Sequence, residues 1–221
     1  MDKRFLAILG GIIVIFGAIF VLSQGSDQNG GDSKGQPTSH IMGEGKKNIT
    51  LMEYGDYECP SCQQYHAPLK QAVGQLSNDI YFQFRNLPLT AIHLNAQASA
   101  RAAEAAGLQG KFWEMHDKLY ENQTTWARAS SPQNAFNGYA GELGLDVEQF
   151  KKDYASSKVN NAINADLAEF KKTGRDQATP TFFINGRYLP NSELVNPQTG
   201  APDVSIIVEV IKAEIAKSNS Y

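Results

Sequence analysis

Apolar and polar positions follow one another along this chain in three regimes. In the first, Phe5 to Leu22 reads "FLAILGGIIVIFGAIFVL" without one charged or hydrogen-bonding side chain, directly after Lys3 and Arg4. Wound as a helix, such a run reaches about 27 Å, close to the hydrocarbon thickness of a bilayer. Residues 1–22 are therefore predicted to form an N-terminal transmembrane helix, contacting lipid through residues 5–22. The basic pair before it places the N-terminus in the cytoplasm and the remaining chain on the outer face. A cleaved signal sequence is the alternative. Ser23 and Gly25 offer a weak cut pattern without A-x-A, so a retained single-pass anchor in the cell membrane is preferred to secretion after cleavage.

The second regime has almost nothing apolar to bury. Ser23 to Ser39, "SQGSDQNGGDSKGQPTS", cannot offset the entropy of ordering, and residues 23–45 are predicted to act as a flexible linker. The third regime is that of a folded domain. "NITLMEYG", Asn48 to Gly55, is a short apolar and β-branched run ending at glycine, which predicts a buried strand. Pro60 suits the first turn of a helix running to about Ser77, and "IYFQFRN", Ile80 to Asn86, is a second strand. Strand, helix, strand opens a βαβ unit with a parallel pair.

Helices are then predicted over Ile92 to Ala106, Gly110 to Tyr120, Pro132 to Leu143, Val147 to Ala155 and Lys158 to Lys172, separated by Gly, Pro, Asn or Ser signals. The β pattern returns with "TFFING" and "RYL", where Asn185-Gly186 is a strong hairpin signal. A last helix, Asp203 to Lys217, lines up Val204, Ile207, Val208, Ile211 and Ile215 on one face. The class is α/β.

Composition changes this picture little. Hydrophobic residues make up 42% and charged residues 19%, as in an ordinary globular protein. The net charge of -3 comes from scattered residues, so no field is present to gather phosphate backbones, and nucleic acid is not an expected partner.

The sulfur inventory changes it much more. Both cysteines of the chain lie in "ECPSC", as Cys59 and Cys62. A bridge this short removes little freedom from the unfolded chain, so stability is a poor motive for it. At a helix start, Cys59 faces unsatisfied backbone N–H groups and the positive end of the helix dipole, which favour its thiolate. Cys62, one turn further in, is expected to be the enclosed resolving thiol and Cys59 the exposed one. Pro60 fixes the turn, while Ser61 adds neither charge nor imidazole. Zinc is a competing reading, since Cys59, Cys62 and His66 have ligand-like spacing. No further Cys exists, however, and His40, His93 and His116 sit in no ligand pattern, so no metal is expected.

Four stretches together resemble one family: "YGDYECPSCQQYH", "RNLPLTAIHLNAQASARAAEAA", "GKFWEMHDKLYENQTTW" and "ATPTFFINGR". They resemble the DsbA-like branch of the thioredoxin superfamily over about Lys46 to Lys217, in the family's order. The resemblance implies a thioredoxin fold, residues 46–91 and 173–221, with a helical domain, residues 92–172, inserted between its halves. It implies a cis Thr179-Pro180 pair beside Cys59, with the Thr179 backbone free to pair with an extended substrate. Glu53 falls where the superfamily keeps a buried acid able to relay the proton of Cys62, the alternative being a surface strand residue. His93 is expected to be structural, and Trp113, Met115, His116 and Trp126 to pack.

The function so implied is extracytoplasmic thiol:disulfide exchange: exported proteins with free thiols are oxidised by a Cys59-Cys62 disulfide, with no added cofactor, and a membrane redox partner reoxidises the pair. The family's best-known strong oxidant carries a histidine between its cysteines where this chain has Pro-Ser, which leaves a reductase or isomerase of the same fold open. A non-enzymatic peptide-binding module with a permanent disulfide is the alternative of another class.

Overall fold

The computed structural model describes residues 35–218. The expected membrane helix and most of the linker lie outside the described residues, among which no helix is long and apolar enough to cross a membrane.

Five strands, β1 (His40–Met42), β2 (Ile49–Gly55), β3 (Ile80–Asn86), β4 (Thr181–Ile184) and β5 (Arg187–Leu189), form one sheet in the order β1-β3-β2-β4-β5. β2 and β3 run parallel, as a crossover through α1 (Pro60–Gln75) requires, and the other neighbours are antiparallel. Both edge strands, β1 and β5, are three residues long. Asn185 and Gly186 both have positive φ, 47° and 77°, so this dipeptide makes the tight β4–β5 turn without a steric penalty.

Between β3 and β4 lie α2 (Ala96–Gly107), α3 (Phe112–Glu121), the single turn α4 (Gln123–Trp126), α5 (Gln133–Glu142), α6 (Val147–Ala155) and α7 (Ser157–Lys172); α8 (Val204–Ser218) ends the described chain. The start of the first helix after β3 departs from the sequence expectation. Ile92 to Asn95 are not helical, and Ile92 and Leu94 stand 73% and 81% exposed on a turn.

Pleating sorts the strands' side chains between two layers. Ile49 and Leu51 of β2 join Phe82, Phe182 and Ile184 beneath α1 and α8, which contribute Tyr65, Leu69, Val73, Ile207 and Ile211. Tyr54 and Phe183 point to the opposite layer and meet Phe170 of α7. The helical segments bury a second cluster in which alanines of α2 pack with Met115, Leu119, Trp126, Phe136 and Phe150. Tyr57, Cys59 and Cys62 belong to that cluster, so the cysteine loop sits where the sheet layer and the helical layer meet.

The two layers are stitched by Asp166 of α7. One of its oxygens accepts from Thr38 N at 2.7 Å, and the other from Thr38 Oγ1 at 2.8 Å and from Asn86 N at 2.9 Å. At Gly55, the end of β2, a Cβ would lie 2.4 Å from the Phe84 ring and 3.0 Å from Tyr120 Oη, so only glycine lets the strand approach the helical layer this closely.

Candidate active site

Cys59 is the N-cap of α1 and Pro60 its first helical residue, which directs the first free amides of the helix toward the Cys59 side chain. The loop before it is held by Asp56. Its carboxylate, 1% exposed as a residue, accepts from Glu58 N at 2.8 Å, from Leu89 N at 2.9 Å and pairs with His93 Nδ1 at 2.7 Å. His93 is thus a structural prop, as expected. From α4, Gln123 Nε2 donates to the carbonyls of Tyr57 at 2.8 Å and Cys59 at 3.0 Å. Asp56 and Gln123 were not singled out by the sequence reading.

The Thr179-Pro180 bond is cis, and Cys59 Sγ donates to the Thr179 carbonyl at 3.4 Å. Asn191 Nδ2 donates to the Pro180 carbonyl at 3.0 Å, and Tyr65 Oη donates to the Asn191 carbonyl at 3.1 Å. Helix α1 and the cis-proline loop are thereby fixed to each other. Both cysteines are free thiols. Cys59 is only 7% exposed and Cys62 1%, so the outer sulfur is less open than the sequence reading expected, although the order of the two is kept.

The two sulfurs have opposite acidities. A hydrogen bond from the Cys62 thiol does most to favour the Cys59 thiolate; burial opposes it, and Thr179 with the amides of Cys62 and Ser61 adds to it, bringing Cys59 down to about 5. The helix amides contribute as expected but rank behind the partner thiol. Thr179 Oγ1 is buried without a hydrogen-bond partner beside the neutral thiol, and a thiolate supplies the acceptor that it lacks. Burial, followed by the bond that it gives Cys59, pushes the Cys62 thiol well above its ordinary value.

Glu53 is 3% exposed, which rules out the surface-strand alternative. It occupies the inward position of the Ile49, Leu51, Glu53 alternation. Burial, and after it the charge on Cys59, push its carboxyl up to about 8. Its Oε1 has no hydrogen-bond partner. At neutral pH this side chain is a protonated acid whose charge state is felt by Cys62, the sulfur that needs a proton whenever it is released from a disulfide. His66 bonds Asp117 of α3 at 2.8 Å and is not placed in a cluster with the cysteines; the cation-sized grouping among the described residues is His66, His116 and Asp117.

A cleft of about 630 Å³ opens beside the cysteine loop, lined by Glu58, Pro60, Gln63, Ile92, Gln123 and Arg128 among others. It offers one apolar wall and both signs of charge next to Cys59.

Known proteins resemble this chain in sequence and fold. The family described as thioredoxin matches residues 35–197. A thioredoxin-like oxidoreductase from Silicibacter pomeroyi DSS-3 superposes with a TM-score of 0.64 at 25% identity, covering 82% of this chain and 94% of that one. BdbD from Bacillus subtilis, in its oxidised form, has a TM-score of 0.66 at 22% identity, covering 83% and 97%. At 22% identity, BdbD is evidence for the fold alone. Among curated sequences, the Na(+)/H(+) antiporter NhaA 1 of Salinispora arenicola is 40% identical over 150 residues, which are 67% of this chain and 22% of that protein. The counterpart from Mycolicibacterium gilvum is 37% identical over 67% of this chain and 23% of its own length. The chain thus spans about a quarter of the length of these curated relatives.

Proposed function

The chain belongs to the thioredoxin family, in its DsbA-like branch of thiol–disulfide oxidoreductases, and from that premise we propose that it oxidises exported proteins at Cys59 and Cys62 on the outer face of the membrane. The observation that carries the direction of exchange is the split between the two sulfurs: one at a helix N-cap held as thiolate, the other buried as thiol behind it.

In the oxidised enzyme, a substrate thiolate attacks Cys59 Sγ, forming a substrate–Cys59 bond and breaking Cys59–Cys62. Cys62 leaves as a thiolate and takes the Glu53 proton. A second substrate thiolate then attacks the substrate's own sulfur, and Cys59 departs with the electron pair as the thiolate that its surroundings favour. The substrate gains a disulfide, the enzyme holds two electrons, and a membrane redox partner removes them. An extended substrate strand pairs with the Thr179 backbone while its side chains enter the cleft lined by Ile92 and Arg128.

Thiolate formation at neutral pH stabilises the reduced enzyme by roughly 1–2 kcal/mol after allowance for solvent screening, which makes the pair more oxidising by roughly 20–40 mV. The Pro60-Ser61 dipeptide, which lacks an imidazole, is the observation that favours a second reading, a reductase or isomerase. Equilibration with glutathione separates the two, since a potential near that of thioredoxin selects reduction. The outer-face location rests on the apolar run of residues 5–22 and the linker after it, and fusion of a protease-sensitive reporter tests it. Oxidation of a dithiol peptide by wild type and by Cys59→Ser tests the enzymatic reading: activity is expected to vanish in the variant, and equal activity refutes it.

A further inference from the structure

Behind the cysteines, α1, α3 and the sheet enclose a cavity of about 20 Å³ whose polar lining is Glu53, His66, Lys70, His116 and Asp117. A water molecule needs roughly 10–15 Å³ of such space and two or more polar partners, so the cavity takes one. At its inner end stands the unpartnered Oε1 of Glu53. At its outer end, His66 Nε2 pairs with Asp117 Oδ1 at 2.8 Å, and Lys70 Nζ donates to Asp117 Oδ2 at 2.7 Å. The Asp117 and Lys70 side chains are 31% and 53% exposed, so this end reaches solvent. His66 lies four residues beyond Cys62 on α1 and therefore on the same helix face.

Resting on the reading of Cys59 and Cys62 as an exchanging pair, we propose that His66, oriented by Asp117, is the relay residue through which solvent protons reach Glu53 across a single cavity water. When the enzyme disulfide opens, the Glu53 O–H bond breaks and a Cys62 S–H bond forms. The Glu53 carboxylate then takes a proton from the water, the water takes one from the His66 ring, and the ring is refilled from solvent. No electrons move in these steps, and the net change is one solvent proton delivered to Cys62.

The groups facing His66 are Lys70 on its own helix, His116, Asp117 and Tyr120 from α3, and Glu53 from β2; Glu121 adds a carboxylate 3.6 Å from Lys70. Of these, His116 is a poor carrier. Burial foremost, with His66 beside it, holds it down to about 3, and its Nδ1 is engaged by Tyr57 Oη at 3.1 Å. Asp117 stays a carboxylate: burial pushes it up, but the bonds from His66 and Lys70 outweigh this and hold it below the usual range.

The test is the rate at which glutathione opens the oxidised protein, followed by stopped-flow fluorescence from about pH 5 to about pH 9 in wild type and His66→Gln. A positioned proton donor is worth roughly 100-fold or more, and bulk water replaces part of it, so the variant is expected to be about tenfold slower below about pH 8. The gap is expected to close above that pH, where Glu53 has no proton to pass, and imidazole buffer is expected to restore the lost rate. Asp117→Asn, a substitution at a half-buried position, is expected to give a smaller loss with the same rescue, and it serves if His66→Gln fails to fold. Variants that track wild type across the range and ignore buffer concentration overturn the relay. So does retention of one Zn²⁺ after dialysis by wild type but not by His66→Gln, which makes His66, His116 and Asp117 a metal site instead. If wild type itself does not exchange with glutathione, it is the oxidoreductase reading that fails.

Discussion

Cys59 and Glu53 are acids whose surroundings move them in opposite directions, and each leaves a signature in pH. The Cys59 thiol is depressed, from 9.0 to about 5, so its contribution to the reduced protein's stability is present above pH 9 and is lost as pH falls toward 5. Titrating the thiolate absorbance near 240 nm is expected to give a midpoint close to 5, and Thr179→Val, which removes a hydroxyl that favours the thiolate, is expected to raise it. Glu53 is raised from 4.5 to about 8, so its contribution is present below 4.5 and is lost as pH climbs through 8. That displacement corresponds to roughly 5 kcal/mol. Urea denaturation of reduced Glu53→Gln is therefore expected to show a gain of that order over wild type at pH 9 and little difference at pH 4. The burial of Glu53 was legible in the alternation Ile49, Leu51, Glu53, a core-facing position given to an acid. The rank of the Cys62 thiol above the helix amides was not, because it depends on where two side chains stop in space.

Most elements were written in local pattern: the parallel pair, the helical block, the Asn185-Gly186 turn and the last helix lie within a few residues of their expected bounds. Two short ones left no mark. His40–Met42 carries too few residues to alternate, and Gln123–Trp126 is a single turn. The latter is the costlier omission, since α4 carries Gln123, whose amide bridges two carbonyls of the cysteine loop from more than sixty residues away in sequence. Such a bond is visible only once β3 and the helices have folded back over the loop. Gln123→Ala leaves both buried carbonyls without that donor and is expected to cost about 2 kcal/mol in denaturant unfolding. It is also expected to shift the Cys59 titration, as the loop that sets the sulfur's position relaxes.

At the scale of the molecule, the site exists because two layers are joined. Asp166 fastens α7 to β3 and to the chain entering β1, and Asp166→Ala strands the Thr38 and Asn86 donors together. A loss of about 3 kcal/mol or more in thermal or denaturant unfolding is the expected result, with less effect on the Cys59 titration than Gln123→Ala. The brevity of β1 and β5 bears on a different hazard. A catalyst with the proposed function would meet chains that have not yet folded, whose bare backbones seek any open rim on which to stack. Three-residue rims give such a chain almost no template to extend, and the proposed exchange would seat it instead at the Thr179 loop, where contact ends in chemistry rather than in co-aggregation.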